Sequence, residues 1–308
     1  MSLDPARPAG LLLVHAHPDD ECFGTGGLIA RSIAEGRRVD LVVCTGGEEG
    51  EIHDPSLDPE EAKPRMREIR TAELDCSIAA LRGSGPGELQ VHRLGYRDSG
   101  MMDSEANAHP DAFWQADLDE ACGKVVSVIR AAQPAVLVTY DANGNYGHPD
   151  HINAHKVAVS AMQAAADASR FDAAGPAWSI AKFYEVTFNR DRWLAVMAEM
   201  KERGLELPWD FDSEGDAARA EAVEEESFGL TEAEITAFVD VEAWSAAKLA
   251  AMDCHRTQRQ DFGWLLDMPD DLASRILSPE SFVLTRWPDR GIAPDLRETS
   301  LFEGVDEA

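Results

Sequence analysis

Short apolar runs and amphipathic stretches alternate along the first half of the chain. Gly10–His15 ("GLLLVH"), Val39–Cys44 ("VDLVVC") and Ala135–Asp141 ("AVLVTYD") are continuous apolar runs bounded by polar residues. Runs of that length predict strands buried on both faces. Leu89–Leu94 predicts a further strand. Between them, Gly26–Gly36, Arg65–Leu81, Leu118–Ala132 and a stretch from about His148 to Ala166 carry apolar residues at helical spacing. The first of these ends on a glycine, a common helix stop. This strand–helix rhythm predicts an α/β fold, a parallel sheet with helices on both faces. Beyond it, Lys182–Asn189 predicts another strand and Ser281–Trp287 a late edge strand. Arg190–Arg203, Glu232–Val239 and Val241–Cys254 read as helices. The expected organisation is one unit over residues 1–185, followed by a mostly helical C-terminal cap over 186–308 packed on the same domain. An acidic, solvated insertion is expected near 206–234.

Charge narrows the function classes. The 308 residues carry 57 Asp and Glu against 28 Lys and Arg, a formal net charge of -29. Nucleic-acid binding needs positive patches, and anionic lipid repels such a surface, so neither is expected. No apolar run is long enough to span a membrane, and the N-terminus has no signal core. The five cysteines are scattered and form no CxxC pair. They read as reduced thiols of a cytoplasmic protein. Among them Cys22 reads as a packed structural thiol rather than a nucleophile.

Candidate chemistry sits at the ends of two predicted strands. His15-Ala16-His17-Pro18-Asp19-Asp20-Glu21 follows the first, and His148-Pro149-Asp150-His151 follows "AVLVTY" after a glycine-rich turn. Charges packed this densely behind apolar strands need compensation, and a divalent metal supplies it. In open parallel sheets ligands bind beyond the carboxyl ends of the strands, so the two clusters can meet there. A catalytic zinc takes three protein ligands and keeps a position for water. His17, Asp20 and His151 form such a set, which also suits ferrous iron. The water needs a base, and Asp19 is the candidate. His148, as an imidazolium held by Asp150, is then available to stabilise an oxyanion or protonate a leaving amine. Competing readings lack their signatures. "GTGG" (Gly24–Gly27) has neither the dinucleotide nor the Walker spacing, and no G-x-S-x-G elbow is present.

"AHPDDE" (Ala16–Glu21) together with "GHPDH" (Gly147–His151) resembles the PIG-L/LmbE-like zinc N-deacetylases. The likeness extends through "CTGGEEGEI", "RDSGM", "TYDANGNYGHPDH" and, weakly, "HRTQ". Within that family the chain is most similar to the mycothiol branch, which holds the N-acetylglucosaminyl-inositol deacetylase and the mycothiol S-conjugate amidase. The resemblance implies a Rossmann-like fold, Zn2+ on His17, Asp20 and His151, Asp19 as general base, and His148 oriented by Asp150. It also implies that Tyr146 touches the substrate carbonyl, that Arg70 binds a substrate polyol, and that Asp98 and Glu51 lie near the sugar. Gly24 stands where a serine is expected in the deacetylase and a lysine in the amidase. The expected partner is a small amino-sugar or thiol-conjugate substrate. The reading from another class is a non-catalytic sugar-binding protein, which would have no need of Asp19.

Overall fold

The computed structural model describes residues 8–83, 85–205, 229–288, 291–293 and 295–305. Leu11–His15 forms β1 with all five residues buried, as an apolar run inside a parallel sheet requires. It is followed by α1 (Asp20–Phe23), α2 (Gly26–Ala34), β2 (Arg38–Thr45), α3 (Pro59–Ala62), α4 (Met66–Arg82) and β3 (Glu88–Tyr96). Next come α5 (Leu118–Ala132), β4 (Val136–Thr139), a kinked turn α6 (Gly144–Gly147), α7 (Pro149–Ala166), β5 (Lys182–Thr187) and α8 (Arg190–Glu202). The C-terminal part holds β6 (Ala237–Val239), α9 (Ser245–Cys254), α10 (Arg259–Leu266), α11 (Asp270–Leu277) and β7 (Glu280–Arg286).

The sheet order is β3-β2-β1-β4-β5-β7-β6. β1 to β5 are parallel; β7 runs antiparallel to β5, and β6 antiparallel to β7. The strand order reverses between β1 and β4. Right-handed crossovers therefore put α2 and α4 on one face and α5 and α7 on the other. The packing agrees: α4 and α9 pack together, α2 joins them, and α5 packs on α7. The chain leaves β1 in one direction and β4 in the other, so a crevice opens beyond their carboxyl ends.

Three expectations fail. The segment Ser281–Trp287, expected at the sheet edge, forms β7, which is paired on one side by β5 and on the other by β6. Glu232–Val239 is not a helix. Thr231 caps a single turn by donating to Glu234, and the chain then alternates buried and half-buried from Ile235 to Val239. That period of two fits β6, an edge strand on β7. The mostly helical region after residue 186 therefore adds two strands to the sheet, the expected β7 and the unexpected β6. The cysteines are not all free either. Cys76 of α4 and Cys254 of α9 form a disulfide with Cα atoms 5.7 Å apart, while Cys22, Cys44 and Cys122 are free and buried. The partners lie 178 residues apart, so no spacing rule could join them; the packing of α4 on α9 does. Helices α10 and α11 were not anticipated. Most of the acidic 206–234 stretch lies outside the described residues. Among the described residues no helix is long and apolar enough to cross a membrane.

Candidate metal centre

The first cluster is built by the turn between β1 and α1. The Asp20 carboxylate accepts from the backbone N–H of His17 at 2.7 Å and from the Tyr140 hydroxyl at 2.6 Å. The Tyr140 hydroxyl in turn accepts from Ala16 N at 2.8 Å. Tyr140 follows β4, the neighbour of β1, so sheet pairing itself orients Asp20. The second cluster is the start of α7. His148 is the N-cap, Pro149 sits in the first turn where no amide donor is needed, and His151 lies one turn on. The preceding turn depends on Gly144, which has φ of +64° and lies so close that a Cβ would meet the Cβ of His151 at 2.6 Å.

The two clusters converge. His17 Nδ1 and His151 Nε2 are 3.2 Å apart. An oxygen of Asp20 lies 3.5 Å from the first, and its other oxygen 3.4 Å from the second. A tetrahedral zinc with bonds of about 2.0–2.1 Å separates its donors by about 3.3–3.4 Å. The separation of the two ring nitrogens, and the approach of Asp20 to each ring through a different oxygen, are of that order, and two imidazoles with a carboxylate suit zinc chemically. Tyr140 stacks on the His151 ring at 4.0 Å between centroids. The far nitrogen of His17, Nε2, faces Asp150 at 3.2 Å and Asp98 at 3.6 Å. A carboxylate behind a ligating histidine fixes the ring and raises its basicity. Asp150 is itself held by the backbone N–H of Ser99, at 2.9 Å, and by the Ser99 hydroxyl.

This geometry corrects the pairing expected for His148. The Asp150 carboxylate turns to His17 and Ser99, and only the Asp150 backbone N–H reaches His148, donating to Nδ1 at 3.1 Å. Burial, then the neighbouring His17 and His151, push the His148 pKa down to about 3. His148 is therefore a neutral imidazole whose Nε2–H is the remaining donor, not an imidazolium. Tyr146 is 54% exposed and stands over the centre, its ring 4.9 Å from His151 and 6.2 Å from His148.

Asp19 lies beside the cluster with part of its side chain open to the crevice. Burial raises its pKa to about 7, against the opposing pull of Arg70. Arg70 donates to the Asp19 carboxylate at 2.7 Å, to Gly47 O at 3.0 Å and to Pro18 O. It fits there because Gly47 has no side chain: a Cβ would meet the guanidinium at 2.2 Å. Arg70 is 3% exposed, so in this structure it is a partner of Asp19 rather than an open polyol clamp. Asp98 is also buried. It accepts from Gly100 N at 2.8 Å and Glu49 N at 3.2 Å and backs His17 instead of facing solvent. Glu51 is not brought into the cluster. Its side chain is 82% exposed and pairs with His53. Sequence reasoning missed Tyr140 and Ser99. A tyrosine ending a buried strand beside the first cluster was the available signal for Tyr140, whereas Ser99 offered none beyond its loop.

Gly24 does not border the centre. It lines a cavity of about 40 Å³ with Phe23, Thr187, Phe188 and Trp193, and a Cβ there would meet Val186 Cγ2 at 2.9 Å. Gly24→Lys is therefore expected to act first on stability. Overpacking of this kind costs about 1–3 kcal/mol. Melting should fall by several degrees, and an unchanged melting temperature would overturn the assignment of this contact.

Residues 12–162 match the PIG-L family, described as GlcNAc-PI de-N-acetylase. The chain is 40% identical over 303 residues to a 1D-myo-inositol 2-acetamido-2-deoxy-alpha-D-glucopyranoside deacetylase of Geodermatophilus obscurus, covering 96% of this chain and 97% of that protein. It is 42% identical over 308 residues to a protein of the same description from Streptomyces avermitilis, with 96% and 97% covered. Among solved structures, N,N'-diacetylchitobiose deacetylase from Pyrococcus horikoshii superposes with a TM-score of 0.56 at 19% identity, covering 93% of this chain and 87% of that one. GalB, the 4-carboxy-2-hydroxymuconate hydratase of Pseudomonas putida, gives 0.56 at 17%, with 93% and 100% covered. A hydratase and a deacetylase on one scaffold show that these structural likenesses establish the fold and not the reaction. The near full-length relatives carry the stronger conclusion: the chain belongs to the PIG-L family of de-N-acetylases.

Proposed function

We propose that this chain is a zinc-dependent N-deacetylase that hydrolyses the acetamide of an N-acetylglucosaminyl-inositol type of glycoside. The observation that carries the reading is the convergence of His17, Asp20 and His151, with donor separations of 3.2 to 3.5 Å through one or the other Asp20 oxygen, and a carboxylate, Asp19, beside them. The deacetylases that share about 40% of its sequence support the substrate class. In this reading His17, Asp20 and His151 hold the metal. When bound, zinc supplies a Lewis acid that makes water acidic near neutral pH and polarises the amide carbonyl.

The remaining work falls to the chain. Asp19 accepts the proton of the attacking water, with Arg70 holding its carboxylate toward the crevice. The neutral His148 offers its Nε2–H, and Tyr146 its hydroxyl, to the oxygen that gains negative charge as the carbonyl carbon becomes tetrahedral. When the C–N bond breaks, Asp19 returns the proton to the departing nitrogen and is restored as the base; acetic acid and the amine leave, and the acid's proton passes to the amine or to solvent. A binding protein would have no use for Asp19. The reading thus favours an enzyme over the non-catalytic alternative.

Incubating the zinc-loaded protein with N-acetylglucosaminyl-inositol and, separately, with a thiol S-conjugate amide tests the substrate. Free amine and acetate should appear faster from the glycoside. A tenfold higher kcat/KM on the conjugate, about 1.4 kcal/mol of transition-state preference, would overturn the substrate assignment and leave the chemistry in place. Ferrous iron in the same assay tests the metal. Ser99→Ala removes a hydroxyl donor to Asp150, and Asp150 backs His17. Outer partners of this kind are worth about 10–100-fold in metal affinity. Competition with a chelator should show a weakening of that order, and unaltered affinity would remove Ser99 from the metal centre.

A further inference from the structure

Asp19 has an unusual backbone, with φ of 111° and ψ of -30°. Non-glycine residues avoid that region, and such a conformation persists only where its surroundings over-determine it. Here the surroundings can be named. Asp19 O accepts from the backbone N–H of Cys22 at 3.1 Å and from its thiol at 2.9 Å. The Asp19 carboxylate accepts from Arg70. The Asp19 N–H donates to Glu21 Oε2 at 2.9 Å. Glu21 is 0% exposed, and a carboxylate inside a protein must be compensated.

That compensation comes from the opposite end of the chain. His255 Nε2 lies 2.7 Å from Glu21 Oε1, and His255 is also 0% exposed. The Ser77 hydroxyl donates to the same oxygen at 2.5 Å. His255 is itself anchored on both sides. Cys254 before it is joined to Cys76 of α4. Thr257 after it donates through its N–H and hydroxyl to Glu73 of α4 at 2.8 and 2.7 Å. The helix that carries Arg70 thus also carries every anchor of the His255 segment named here. Replacing a buried ion pair by apolar residues is often neutral for stability, so packing alone does not account for this one. Its free oxygen is spent on the Asp19 peptide.

We infer that Glu21 and His255 form a positioning pair for Asp19, holding its strained peptide so that the carboxylate stays aimed into the crevice. This rests on the reading of Asp19 as the base. Glu21 and His255 touch neither substrate nor metal; they act through the Asp19 N–H. The C-terminal segment is thereby part of the reaction machinery and not only a cap.

A double-mutant cycle on the zinc-loaded full chain tests the inference. His255→Ala should lower kcat at least tenfold, with KM moved by less than about threefold and metal content unchanged. His255→Gln keeps an N–H donor near the Nε2 position and should recover activity to within about threefold of wild type. In the Asp19→Ala background, His255→Ala should cost less than about twofold more, because nothing is left to position. Multiplicative losses in the cycle, or wild-type kcat in His255→Ala, would overturn the positioning role. If Asp19→Ala alone stays active, it is the base assignment that fails. Should His255→Ala not fold, Ser77→Ala, which removes the other donor to Glu21, runs through the same cycle: a several-fold loss of kcat that vanishes in the Asp19→Ala background supports the positioning role, and wild-type kcat or a multiplicative loss overturns it.

Discussion

Asp19→Ala retains its metal and its fold and loses about two to four orders of magnitude in kcat, the usual contribution of a positioned general base. Three features set that expectation. Asp19 is adjacent to Asp20 in the chain, yet its carboxylate is held by Arg70 at the edge of the crevice. Its pKa stands at about 7, raised chiefly by burial, and a base poised near neutrality serves both halves of a hydrolysis. Its peptide is locked from two sides, so the carboxylate need not search for its position. Metal analysis alongside turnover separates this variant from a ligand variant. A rate within about threefold of wild type would place the base elsewhere. Glu21 cannot take over the role, because it is fully buried and both its oxygens are engaged.

The second large effect is loss of the metal. Replacing His17, Asp20 or His151 by Ala should strip the centre and abolish turnover, since three protein ligands define a catalytic site and two do not. His151→Ala is the cleanest of the three. Asp20→Ala also strands the Tyr140 hydroxyl and the His17 amide, each at a cost of about 1–3 kcal/mol if left unsatisfied. His17→Ala uncovers the buried carboxylates of Asp98 and Asp150. The melting temperature gives an independent readout, because a metal that binds only the folded chain stabilises it by mass action. Chelation should lower the melting temperature of the wild type and leave that of His151→Ala unmoved. Full metal occupancy in all three single variants would sink the ligand assignment.

The parallel core was legible because apolar runs of strand length alternate with helical spacing, and that pattern has few solutions. β6 was not. Its alternation covers five residues beside an acidic stretch, and its identity as a strand comes from β7, more than 40 positions later. The disulfide was hidden for a related reason: Cys76 and Cys254 meet only because α4 and α9 pack.

Within the centre the division is sharper. The residues of each cluster are close in sequence, so their types and spacings already place imidazoles and carboxylates together at strand ends. Local chemistry of that kind survives any folding consistent with the strands. How the clusters are wired does not follow from spacing. Asp150 turns to His17 across 133 positions, Tyr140 to Asp20 across 120, and His255 to Glu21 across 234. Those partners were selected by which strands adjoin and which helix covers them. Burial then decided the charge state of His148 and the partner of Arg70, because the energy of a charge depends on the solvent and neighbours the completed fold leaves around it.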